Sequence, residues 1–159
     1  MMDRNEVIRM LEEKGIAYEK QDHPAVFTVE DADAFPVPYP EGAAKNLFLR
    51  DSKKREYFLI TVHDRRSVDL KALRAQLGTK PLSFTSEEDL MALLKLSRGA
   101  VTPLGLLNDT DHRVRWLLGA ELQGQKIGVH PLDNTATLWL ATEDLLSLLA
   151  QAGIEPVIF

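Results

Sequence analysis

The sequence predicts an α+β fold, a curved mixed β-sheet or partial barrel surrounded by helices, in a single domain over residues 1–159. Short strand-like runs outnumber amphipathic helical ones, and hairpin-length connections mix with crossover-length ones. No repeat, linker or low-complexity stretch interrupts the chain. A length of 159 residues is enough to bury a core without staples. The balance of 45% hydrophobic to 27% charged residues suits a globular, soluble domain.

The elements follow in order. Asp3-x-x-Glu6 has the form of a capping box, and Val7, Ile8 and Leu11 fall on one helical face before Gly15. Residues 16–21 read as a strand that His23-Pro24 breaks. Thr28-x-x-Asp31 opens a turn or two of helix to about Ala34. Prolines at 36, 38 and 40 make residues 35–42 a stiff, extended loop, read as a lid or wall beside a pocket. Residues 47–50 and 57–62 form a hairpin across the polar segment 51–56. Asp69 caps a helix carrying Leu70, Leu73 and Leu77, which Gly78 ends. A short strand over 81–84 precedes a helix that starts at Thr85 or Ser86 and buries Leu90, Leu93 and Leu94. Strands follow at 114–118, 127–129 and 137–140. Thr142 is expected to cap a last helix with Leu145, Leu148 and Leu149 inward, and residues 157–159 close the chain as a strand.

The chain has no cysteine, which excludes disulfides, thiolate metal sites and a cysteine nucleophile. A formal charge of −5 argues against a broad grip on a nucleic-acid backbone and against DNA as a partner. Basic islands, among them Arg65-Arg66 and Lys71 with Arg74, leave room for local contact with one RNA end. The first residues lack the basic-then-apolar pattern of a signal peptide, and no apolar run approaches a membrane span. A cytoplasmic protein with no membrane partner is the expectation.

Three segments carry the chemistry. Gly42-Ala43-Ala44-Lys45-Asn46 leads small residues into an ammonium and an amide at the start of a strand, where a ligand could approach the backbone. Gly99-Ala100-Val101-Thr102-Pro103 is either a helix stop or a loop whose amides bind an oxygen. His130-Pro131 begins either a capped turn or a pocket wall. The chain lacks a Gly-x-Ser-x-Gly elbow, a His-Glu-x-x-His pair, a phosphate-cradling Gly-rich loop and a dinucleotide fingerprint. No two histidines stand at metal-ligand spacing, so neither a metal nor a cofactor is expected.

In order and spacing, these segments resemble the free-standing prolyl-tRNA editing domains. Those are relatives of the editing insertion of bacterial prolyl-tRNA synthetase and of the bacterial Cys-tRNA(Pro) deacylases. The resemblance rests on Lys45-Asn46-Leu47-Phe48-Leu49-Arg50-Asp51, on Gly99-x-x-x-Pro103 running into Leu104-Gly105-Leu106-Leu107-Asn108-Asp109, and on His130-Pro131-x-x-Asn134-x-x-Thr137. Lys-Asn and the Pro-Leu-Gly-Leu-Leu-Asn-Asp tail look like the alanine-clearing branch. Gly119-Ala120-Glu121 stands where that family leads one to expect an acidic-basic pair.

The resemblance implies hydrolysis of Ala-tRNA(Pro) in trans, with the alanylated acceptor end of tRNA(Pro), and possibly prolyl-tRNA synthetase, as partners. It implies Lys45 on the terminal adenosine or its phosphate, and Asn46 orienting the attacking water or the amino group. The Gly99 and Ala100 amides would face the oxyanion, and His130 would shape the pocket. Thr102, Pro103 and Asn134 would help bind substrate, and Arg65, Arg66, Lys71 and Arg74 would touch the acceptor stem. Two other readings stay open: a deacylase for Cys or Ser on tRNA, and a non-catalytic module that binds an aminoacyl or nucleotide end.

Overall fold

The computed structural model describes residues 3–23 and 37–159. The turn expected at 28–34 and Phe35-Pro36 lie outside the described residues. In chain order the elements are α1 (Arg4–Glu13), β1 (Tyr18–Asp22), β2 (Ala44–Asp51), β3 (Tyr57–His63), α2 (Leu70–Leu77), β4 (Leu82–Phe84) and α3 (Glu87–Leu94). They continue with β5 (Val114–Leu118), β6 (Lys126–Val129), β7 (Ala136–Ala141), α4 (Thr142–Ala150) and β8 (Val157–Ile158).

The α+β class is as expected, with the strands divided between two open sheets. One is antiparallel, in the order β1-β7-β6; the other is mixed, in the order β4-β2-β3-β5-β8. β2 and β3 pair antiparallel as the expected hairpin, while β5 lies parallel to β3 and β8 parallel to β5. Asp51 closes the hairpin by accepting from the Arg55 and Glu56 amides at 2.7 and 3.1 Å.

The centre of the mixed sheet is buried on both faces, which explains the apolar run of β3, broken only at Thr61 before its last residues. Toward α2 it presents Leu49, Phe58, Ile60, Val62 and Leu117, packed with Leu73. Toward the antiparallel sheet it presents Phe48, Leu59, Trp116 and Leu118, joined by Val7 and Leu11 of α1, Leu90 and Leu94 of α3, and Leu145 and Leu148 of α4. The larger core therefore fills the space between the two sheets.

The caps expected at Asp3, Asp69 and Ser86 are present, each accepting a first-turn amide, and Gly78 ends α2 in the left-handed region at φ 66°. Thr142 is a correction. Ala141 holds the N-cap position of α4, and the Thr142 hydroxyl is buried one residue further in, without a hydrogen bond among the described residues.

One contact fixes how the sheets meet. Pro40–Gly42 forms a 3₁₀ turn against β6, and a Cβ at Gly42 would stand 1.6 Å from the Lys126 carbonyl oxygen. The glycine lets two protein backbones approach each other; the expected approach of a ligand is not what requires it.

Candidate active site

Where β2 begins, the seam between the sheets opens into a cavity of about 410 Å3. One wall comes from Ala43, Ala44, Lys45 and Asn46, with Arg98, Gly99 and Val101 from the loop after α3. The antiparallel sheet gives the other wall, with Gln21 from β1, Gly128 and Val129 from β6, and Thr137 and Trp139 from β7. His130, His23 and Val37 complete the lining.

Gly128 and Trp139 are cross-strand partners, and the indole lies so close over the glycine that a Cβ there would stand 2.8 Å from ring atoms. The Trp139 Nε1–H donates to Gln21 Oε1 at 3.1 Å, and the Tyr39 ring tilts against the indole at 5.9 Å. Tyr39 in turn donates its hydroxyl to Glu19 and accepts from Lys126 Nζ. The aromatic plate of this wall is thus held from several sides.

Lys45 is half-buried, and its ammonium has no hydrogen bond or ion pair among the described residues. An ammonium in a recess with no described carboxylate beside it is matched to an anionic or strongly accepting ligand. Asn46 is tied at both ends: Oδ1 accepts from Thr61 Oγ1 at 2.6 Å, and Nδ2 donates to the Val101 carbonyl at 3.4 Å. That second bond anchors the Gly99 loop to β2.

His130 Nδ1 lies 3.0 Å from the Ala136 carbonyl. A carbonyl only accepts, so Nδ1 carries the proton and Nε2 of the neutral ring keeps a lone pair. Burial pushes the His130 pKa down, and nearby His23, edge-on at 6.2 Å between ring centroids, adds to it. The Ala136 hydrogen bond and Asp133 oppose this without reversing it. His23 itself sits 3.0 Å from Thr137 Oγ1 through Nε2.

Lys45, Asn46, Gly99 and His130 therefore come together around one space. Gly99 enters the loop at φ 91°, a conformation that favours glycine. Several other expected site residues do not join them. The Ala100 amide donates to the Ser97 carbonyl at 3.2 Å and the residue is buried, so that N–H is spent on its own turn. Thr102 is fully buried and its hydroxyl caps the following 3₁₀ turn at Leu104 N, with Pro103 as that turn's first residue. Asn134 is buried in the turn before β7, outside the lining.

Among the basic residues, Arg66 is engaged. It pairs with Glu121 at 2.7 Å, donates to the Phe159 carbonyl at 3.1 Å and lies 4.2 Å over the Phe159 ring. Glu121 also accepts from the His63 amide, and these bonds hold its carboxyl below the ordinary value against the opposing effect of burial. Arg65, Lys71 and Arg74 are exposed and none lines the cavity.

Gln21, Gly128 and Trp139 were not anticipated. A glycine inside a strand directly opposite a tryptophan was the available signal.

Residues 23–148 match the family pattern of the aminoacyl-tRNA editing domain. The chain is 38% identical over 148 residues to the prolyl-tRNA editing protein ProX of Acetoanaerobium sticklandii, covering 92% of this chain and 90% of that one. It is 40% identical over 149 residues to the prolyl-tRNA synthetase associated domain-containing protein 1 of Bos taurus, with 90% and 86% covered. The crystal structure of a proposed trans-editing enzyme for prolyl tRNA synthetase superposes with a TM-score of 0.70 at 20% identity, covering 100% of this chain and 96% of that one. No helix among the described residues is long and apolar enough to cross a membrane. The chain belongs to the aminoacyl-tRNA editing domain family.

Proposed function

We propose that the protein is a trans-acting deacylase that hydrolyses Ala-tRNA(Pro). The observation that carries this reading is the Lys45 ammonium, without a partner among the described residues, in a cavity shared with a neutral His130 and a hydrogen-bond-donating Asn46. An aminoacyl ester is already activated, so the site needs no protein nucleophile. It needs to hold the ester, polarise its carbonyl and place a water.

In this reading Lys45 takes the terminal adenosine or its phosphate. Asn46 gives its remaining N–H to the attacking water or the carbonyl oxygen. It is less suited to the amino group, because its oxygen is turned toward Thr61 and its N–H end toward Val101 and the cavity. The lone pair of His130 Nε2 suits the substrate α-ammonium. Water adds to the carbonyl carbon, the ester C–O bond breaks, and the ribose oxygen leaves with a proton, giving alanine and uncharged tRNA. In this reading the Trp139 plate and Val129 bound the aminoacyl side chain, and steric rejection of the larger proline ring on that side gives the selectivity. Exposed Arg65 and Lys71 are available to the acceptor stem, and the reaction belongs to the cytoplasm, where charged tRNA and prolyl-tRNA synthetase occur.

The test is release of alanine from Ala-tRNA(Pro) by purified protein, beside Pro-, Cys- and Ser-tRNA(Pro). Alanine release with proline untouched is expected. No release above buffer refutes the reading, and preference for Cys or Ser reassigns the substrate. Lys45→Ala is expected to lower kcat/KM by about 10²-fold with the melting temperature unchanged.

A further inference from the structure

We infer that Thr61, anchored by Trp116, is a positioning residue that together with the Val101 carbonyl fixes which end of the Asn46 amide faces the cavity, an inference that rests on the deacylase reading above. Asn46 and Thr61 are cross-strand partners on β2 and β3. Trp116 of β5 pairs with Leu59, two residues from Thr61, so all three side chains share one face of the mixed sheet.

The donor types along this line run in one direction only. The Trp116 Nε1–H donates to Thr61 Oγ1 at 3.0 Å, and an indole nitrogen cannot accept. The Thr61 hydroxyl, its oxygen engaged from that side, has a single proton to give, and the atom 2.6 Å away is on Asn46. The amide oxygen receives it, and at the other end the Val101 carbonyl, which can only accept, takes an N–H from Nδ2, so the two partners together set Oδ1 toward Thr61 and Nδ2 toward Val101 and the cavity. Thr61 is 0% and Trp116 2% exposed, so water does not compete for these bonds. An amide turned the other way would set Oδ1 against the Val101 carbonyl, acceptor against acceptor, and would leave the Thr61 proton without the oxygen it now reaches. The indole bond holds the Thr61 oxygen in place, so a threonine anchored on a core tryptophan helps the cavity present an N–H at Asn46, the sign that suits a carbonyl oxygen as negative charge gathers on it. The same line holds the Gly99 loop through Val101.

The experiment compares Thr61→Val, Thr61→Ser and Trp116→Phe in the full chain, with melting temperatures recorded beside kcat and KM for Ala-tRNA(Pro). Thr61→Val, which keeps the shape and loses the hydroxyl, is expected to lower kcat by about 10–100-fold with KM within about two-fold of wild type. Thr61→Ser is expected to restore most of the rate, because it restores the proton that Asn46 receives. Trp116→Phe is expected to lower kcat less than Thr61→Val, since it frees the hydroxyl without removing it. A Thr61→Val enzyme with wild-type kcat overturns the inference, as does Thr61→Ser impaired to the same degree. If Thr61→Val does not fold, Trp116→Phe decides, and an unchanged kcat there overturns it. Wild-type protein without turnover overturns the deacylase reading instead. The positioning role is then read from the Asn46 side-chain amide resonances: a shift in Trp116→Phe supports it, and unmoved resonances overturn it.

Discussion

Gly42→Ala tests how the two sheets are held together. The added methyl would stand 1.6 Å from the Lys126 carbonyl oxygen and 2.5 Å from its carbon, where ordinary contact begins at 3.4 Å. About 1.8 Å must therefore be found between two stretches of backbone, and close-packed interiors do not yield that distance by rotating a side chain. Overpacking of this kind costs about 1–3 kcal/mol, and a backbone-to-backbone clash belongs at the upper end, near 3 kcal/mol. At about 2–4 °C per kcal/mol for a domain of this size, the melting temperature should fall by about 6–12 °C. The displaced β6 carries Gly128 and Val129 and leads into His130, so kcat/KM for Ala-tRNA(Pro) should fall further, by about 10²-fold for a misplacement of order 1 Å. Denaturation and single-turnover deacylation on the same preparation measure both. A variant with wild-type stability and rate would refute the view that Gly42 sets the approach of the sheets.

Thr142→Val should stabilise the protein by about 1 kcal/mol in denaturant titration, because it removes a buried hydroxyl with no partner among the described residues. The pH dependence of His130 has a definite sign. Its folded pKa lies below the ordinary 6.5, so from 6.5 down toward the folded value the unfolded chain binds more protons, and stability is lost as pH falls through that window. The stability difference between wild type and His130→Gln should therefore shift against wild type as the pH is lowered from 7 to 5. A difference independent of pH would contradict a buried neutral imidazole.

Much of this was legible in the chain. Helix starts at Asp3, Asp69 and Ser86 follow from local chemistry, since a side-chain acceptor and a first-turn amide are neighbours in sequence. Lys45, Asn46, Gly99 and His130 could be grouped because their three segments, each open to an ordinary structural reading alone, together follow the order and spacing that resemble the editing family. What escaped depended on partners distant in sequence. Arg66 reads as a surface cation until Glu121 and Phe159 are folded against it. Ala100 reads as a free donor until the turn closes on Ser97. Thr61 reads as one more strand residue, and its meaning appears only when Trp116 and Asn46 flank it. Gly42 reads as the close approach of a ligand until the Lys126 carbonyl is folded against it.

The cavity is a gap between two hydrogen-bonded ladders, with no rung of either crossing it. Side chains on the antiparallel ladder can therefore be exchanged for larger or smaller ones while the Lys45 strand keeps its register. On the deacylase reading, a scaffold of this kind separates the grip on a nucleotide end from the gauge of the group attached to it. The same cation can then serve sieves of different mesh, altered one residue at a time.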